Sequence, residues 1–165
     1  MRRHPAIFAV GVAVVLCGFG AVVSGDSQAA VAPRQPDATA TCAVCGMKVA
    51  PFPEWIAQVV FEDERTLYFD GAKDLFKYLL ERARFVPDLE EAEIAAVFVT
   101  SYYEGTRISA EEAFYAIGSD VRGPMGPELI PFATVDEAEE FLRDHRGKRI
   151  LRFAEVTEEV LAALD

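Results

Sequence analysis

Cysteine and histidine are scarce in this sequence, at 3 and 2 residues respectively among 165. That scarcity excludes a disulfide-dense scaffold. Cys17 lies inside an N-terminal apolar run, so only Cys42 and Cys45 remain for a folded part. A bridge between them would close too small a loop to stabilise the chain through entropy. The shortage of histidine excludes a structural zinc knuckle, which needs four ligands. His145, the only histidine outside the N-terminal segment, sits in a helix-ending cluster and reads as a partner of the helix dipole. Positive charge is short as well. Lys and Arg number 16 against 27 Asp and Glu, a net charge of -11. A surface this acidic repels nucleic acid and anionic lipid heads, and neither is expected to bind the folded part. The acidity itself is a solubility feature, since carboxylates are hard donors that hold soft monovalent ions poorly.

What is present divides the chain into residues 1–30, 31–41 and 42–165. Arg2 and Arg3 precede an apolar run from Ala6 to Val23, AIFAVGVAVVLCGFGAVV, followed by small residues. This is the pattern of an export signal, and the expected location is the periplasm or the outer face of the cytoplasmic membrane. Cleavage near Gly25 to Ala30 is one outcome. Retention as an anchor is another, because ~20 apolar residues suffice to span a bilayer. Acylation at Cys17 is a third, although the bulky Leu16 opposes lipoprotein processing. His4-Pro5-Ala6 does not fit a twin-arginine signal. The stretch from Ser24 to Thr41 is rich in Ala, Pro, Ser, Thr, Gln and Asp, and its low apolar content makes residues 31–41 a disordered tether. The remainder suits one domain.

Within that domain, Ile56 to Glu62 (IAQVVFE) and Thr66 to Phe69 (TLYF) read as an antiparallel hairpin turned at Asp63-Glu64-Arg65. Asp70-Gly71 opens a helix whose apolar face is Leu75, Phe76, Leu79 and Leu80. Pro87 to Glu93 is an acidic connection, and Ile94 to Ser101 is the most strand-like segment. Ser109 to Glu112 has the capping-box pattern and predicts a short helix or turn, while Ala113 to Ile117 also suits a strand. Gly118 to Pro127 is a loop, and Leu129 to Phe132 an edge strand because of Pro131. Thr134 caps a helix carrying Ala138, Phe141 and Leu142, with Gly147 available for the left-handed position at its end. Arg149 to Val156 closes as a strand and Glu158 to Leu164 as a terminal helix. The predicted fold class is α+β: small antiparallel sheets with helices packed on one face, built as two ββα-type units.

Two features carry chemistry. Cys42-Ala-Val-Cys45-Gly46-Met47 gathers three sulfur side chains around a glycine that lets the backbone turn back. Thiolate and thioether sulfur select Cu(I), a polarisable ion content with few ligands, over hard cations. A thiol–disulfide oxidoreductase using Cys42 and Cys45 is the alternative from another class. It normally places its cysteine pair at the start of a helix, whereas Pro51 and Pro53 forbid a long helix here. A plain disulfide in the metal-free protein also remains open. The second feature is the loop Gly118–Phe132, in which Met125 stands between Gly and Pro residues. It is either a gap-filling side chain under the loop or a thioether ligand.

CAVCGM at 42–47, FDGAKDLFKYL at 69–79, AFYAIGS and GPMGPELIPFA within 113–133, and EEFLRDHRGKRILRFAEV at 139–156 together resemble the NosL family. The resemblance runs through the whole folded part in order. It implies a membrane-tethered, periplasmic Cu(I) metallochaperone without catalytic activity. The implied client is the multicopper nitrous oxide reductase, and the implied membrane partner is an ABC-type transporter. The implied metal residues are Cys42, Cys45, Met47 and Met125. The chain departs from the pattern at Asp70, where many relatives carry a cysteine, and so has one soft donor fewer.

Overall fold

Five consecutive buried residues, Ala57–Phe61, form β1, the strand that organises the first half of the domain. Such a run marks a strand covered on both faces, and β1 is indeed internal, in a four-stranded antiparallel sheet of order β2-β1-β3-β4. The computed structural model describes residues 31–165. Residues 1–30, with the expected signal and Cys17, lie outside them. Among the described residues no helix is long and apolar enough to cross a membrane.

The hairpin partner β2 (Thr66–Phe69) pairs with β1 in the register Ala57 to Phe69. Helix α1 (Ala72–Leu80) follows at once, then a short α2 (Arg82–Phe85) and a single 3-10 turn at Pro87–Leu89. The chain returns as β3 (Ile94–Thr100) on the other side of β1, and β4 (Arg107–Ser109) adds the outer edge. The second half repeats the pattern with β5 (Phe114–Ile117), β6 (Ile130–Phe132), α3 (Val135–Asp144) and β7 (Arg149–Arg152). Its sheet has the order β6-β5-β7, the counterpart of β2-β1-β3. The doubled unit is therefore ββαβ, one strand longer than the expected ββα. Helix α4 (Glu158–Ala162) ends the chain against α1.

Alternation along β5 divides the interior. Tyr115 and Ile117 pack with the larger core around β1 and α1, while Phe114 and Ala116 face a smaller one with Phe132, Ala138 and Phe141. The period-2 geometry of a strand sends neighbours to opposite faces, so one three-stranded sheet serves both cores. Phe76 of α1 meets Tyr115 edge-on, with ring centroids 5.1 Å apart, and thereby binds the two units together.

Four expectations change. Ser109 ends β4 and does not cap a helix, because residues 107–109 find backbone partners on β3. The buried face of α1 includes Tyr78 and leaves Leu80 exposed. At the end of α3 the left-handed residue is Arg146 (φ 55) and not Gly147. Gly147 is needed for space, since a Cβ there would lie 2.8 Å from the Leu142 side chain. Strand β7 stops at Arg152, and Phe153–Glu155 form a 3-10 turn. Residues 31–41 contain no helix and only a single bridge residue, Thr41, yet they are pinned. The buried Gln58 of β1 accepts from Arg34 N at 2.7 Å and donates to Arg34 O at 3.2 Å. A fully buried amide needs such partners.

Candidate metal centre

The loop from Thr41 to Lys48 is closed by its own backbone. Thr41 bridges Lys48, Cys42 N donates to Met47 O at 2.7 Å, and Gly46 N donates to Cys42 O at 3.0 Å. Gly46 has φ 76, the left-handed region that glycine occupies without a steric penalty. The closed loop docks on the free edge of β2, where Cys42 bridges Tyr68 and Ala43 N donates to Tyr68 O at 2.9 Å. This holds Cys42 in the interior at 2% exposure and leaves Cys45 at the surface.

Strand β2 then delivers Asp70, and the first turn of α1 delivers Asp74. One donor atom from each of Cys42, Cys45, Asp70 and Asp74 lies within 4.8 Å of the others. Both cysteines are free thiols. Cys42 Sγ donates to Asp74 Oδ2 at 3.3 Å, and Cys45 Sγ donates to Asp70 Oδ2 at 3.4 Å. The positive end of α1 favours carboxylates at this position. Burial nonetheless pushes the Asp74 carboxyl above its ordinary range, with the Asp70 charge adding to it. Burial raises the Cys42 thiol strongly, and the Cys45 thiol to about 11, the neighbouring carboxylates adding to both. In the metal-free protein the two sulfurs are therefore protonated at neutral pH.

Helix α1 has no side chain of its own at the cap, since Gly71 occupies that position. Glu128, from the loop before β6, takes over and accepts from Lys73 N at 2.5 Å and from Leu129 N at 2.9 Å. A Cβ at Gly71 would overlap the Glu128 carboxylate, so the glycine is required for space, its own φ being -177. Burial lifts the Glu128 carboxyl to about 8.

Of the four residues expected to hold metal, the structure brings Cys42 and Cys45 together. Met47 sits in the same closed loop, half-buried, with its carbonyl on Cys42 N. Met125 belongs to the second unit, is 45% exposed, and has its carbonyl 3.4 Å from Lys73 Nζ, one residue from Asp74. His145 is not among the clustered donors; its Nδ1 faces Asp120 Oδ1 at 3.3 Å. Sequence reasoning missed Asp74 and treated Asp70 only as a cysteine lost. The signal was there in FDGAKD, where two acids bracket a helix start, whose positive end favours them.

The donor chemistry suits a metal ion. Two sulfurs and two carboxylates converge, and Asp70 Oδ1 is buried with no hydrogen-bond partner among the described residues, a costly arrangement unless something else satisfies it. Comparison with known proteins agrees. The family model NosL matches residues 33–161. The copper-binding lipoprotein NosL of Achromobacter cycloclastes is 31% identical over 120 residues, 69% of this chain and 62% of that protein. The chain thus spans less than two thirds of that relative's length. The copper-binding lipoprotein NosL of Stutzerimonas stutzeri is 28% identical over 152 residues, 89% of this chain and 79% of that protein. The crystal structure of the copper chaperone NosL from Shewanella denitrificans superimposes with a TM-score of 0.66 at 26% identity, covering 78% of this chain and 97% of that one. These names describe copper binding and chaperoning; none describes a reaction.

Proposed function

The chain belongs to the NosL family, and on that premise we propose that it is a Cu(I) metallochaperone that holds its cargo between Cys42 and Cys45. The observation that carries this reading is the convergence of two free thiols on the β2–α1 junction, within 4.8 Å of each other and of two carboxylates. Sulfur is the donor that selects the monovalent ion, and the hard carboxylates, which accept the thiol hydrogens in the metal-free protein, are not its ligands. Met47 and Met125 are the candidate thioether donors. Cu(I) is cargo here: it is bound and passed on unchanged, with no catalytic step.

The two sulfurs differ in a way that supports transfer. Cys42 is anchored inside, while Cys45 is exposed on the turn before Gly46. An incoming donor from an acceptor protein can attack an ion held at Cys45 before the bond to Cys42 breaks. The acceptor in this reading is a multicopper enzyme, nitrous oxide reductase, with an ABC-type transporter as membrane partner. The export pattern of the N-terminal segment supports a location in the periplasm or on the outer face of the cytoplasmic membrane, in keeping with relatives named as lipoproteins.

The oxidoreductase alternative finds no support in the site. A redox-active pair needs one thiol depressed toward neutrality, whereas both thiols are raised here. Titration of the reduced protein with Cu(I) against a chromophoric chelator tests the proposal. Cys42→Ser/Cys45→Ser is expected to abolish competition with the chelator; affinity unchanged in that variant would sink the reading.

A further inference from the structure

Met125 stands at the tip of a turn that is held more firmly than an exposed loop requires. Gly123 N donates to Gly126 O at 2.9 Å and Gly126 N donates to Gly123 O at 3.1 Å. Pro124 and Met125 are the two residues enclosed, and Gly126 has φ 93. Two buried polar side chains underlie this turn. Lys73, 3% exposed, extends from α1 and donates through Nζ to Met125 O at 3.4 Å and to Leu164 O at 3.3 Å. Glu128, 4% exposed, lies under the turn. Its side chain is close enough that a Cβ at Gly123 would meet Glu128 Cγ at 3.2 Å, while its carboxylate caps α1 at Lys73 N.

Burying a lysine and a glutamate is unfavourable unless their polar atoms are fixed by partners. Here three of those partners, Lys73 N, Leu129 N and Met125 O, lie on the α1 start, which carries Asp74, or on the Met125 turn and its flank. Beyond α4, Lys73 Nζ also donates to Leu164 O and lies 3.6 Å from the Asp165 carboxylate. Neither side chain is a donor to the clustered site, yet both fix where the turn sits relative to it.

We propose that Lys73 and Glu128 are positioning residues that register the Met125 turn of the second unit against the metal-bearing helix of the first, so that the Met125 thioether acts with Cys42 and Cys45 on the same Cu(I). This rests on the Cu(I) reading given above. Residues that orient a metal ligand without touching the ion typically change affinity by about 10–100-fold when replaced.

The test compares Met125→Leu, Lys73→Gln, Glu128→Ala and Glu128→Gln, singly and with Met125→Leu, by Cu(I) chelator competition. It adds backbone amide relaxation of residues 125 and 126 in the metal-free protein. Lys73→Gln and Glu128→Ala are expected to weaken Cu(I) binding as much as Met125→Leu does, by roughly tenfold or more. Combining either with Met125→Leu should add nothing further, because all act through one donor. Both should also mobilise the amides of residues 125 and 126. Glu128→Gln keeps a carbonyl acceptor for Lys73 N and should retain both affinity and order. Effects that multiply with Met125→Leu, or order at residues 125 and 126 unchanged by Lys73→Gln, would overturn the proposal even if thermal stability fell. Should Cys42→Ser/Cys45→Ser bind Cu(I) like the parent protein, the metal reading fails separately, and the relaxation measurement still decides whether these residues register the turn.

Discussion

At the residue scale the site is set by how differently two cysteines three positions apart are placed. Cys42 is tied to β2 and buried, and Cys45 is on the exposed turn, both protonated at neutral pH by burial and by carboxylate neighbours. Alkylation of the metal-free protein with a maleimide, read by peptide mass spectrometry, should therefore modify Cys45 well before Cys42. Only the thiolate reacts, so the Cys45 rate should climb roughly tenfold per pH unit and level off near pH 11. Preferential labelling of Cys42, or a rate already saturated at pH 7, would contradict this placement. Metal binding displaces the same protons, so Cu(I) affinity should rise with pH over that range. The cysteine pair was legible in CAVCGM, because three sulfurs so close in sequence make a soft-donor cluster whatever the fold around them. Asp74 was not legible as a partner of Cys42. Its role depends on a contact across 32 positions, which only the packing of α1 against the loop creates.

At the scale of elements, the start of α1 is the joint on which the site depends. Asp70 and Asp74 flank it, and Glu128 caps it from 55 residues away. Burial raises the Glu128 carboxyl from 4.5 to about 8 in the folded chain. A group whose pKa is raised on folding stabilises fully below its unfolded value and loses that contribution as pH rises through the folded value. The parent protein should thus lose stability between about pH 5 and pH 8 relative to Glu128→Gln, which cannot ionise. Thermal melts of both across that window check this; curves that run parallel would contradict it. The hairpin, α1, β3 and α3 were legible because their patterns are local: alternation, helical spacing, and the Thr134 N-cap, which forms as read and which Glu137 extends to a capping box. Strand β4 was not, since three residues at a sheet edge owe their conformation to β3 and not to their own side chains. Helix α2, at four residues, is nearly as short and contributes no buried residue, so it left no apolar stripe to detect.

At the scale of the molecule, the two ββαβ units are not visibly similar in sequence, yet β2-β1-β3 and β6-β5-β7 share one strand order, with β4 added at the edge of the first. The likeness lives in connectivity, which only strand pairing reveals. The two units are unequal in chemistry. The first carries the clustered thiols and carboxylates, and the second reaches across with Glu128 and the Met125 turn. Neither unit alone would hold α1 capped, in keeping with a family match that spans residues 33–161 as one block. X-ray absorption at the copper edge, on the protein loaded with one equivalent of Cu(I), counts sulfur neighbours directly. The expected result is a shell dominated by sulfur that collapses in Cys42→Ser/Cys45→Ser. A shell of oxygen and nitrogen alone, or one untouched by that double substitution, would contradict a cysteine-held Cu(I).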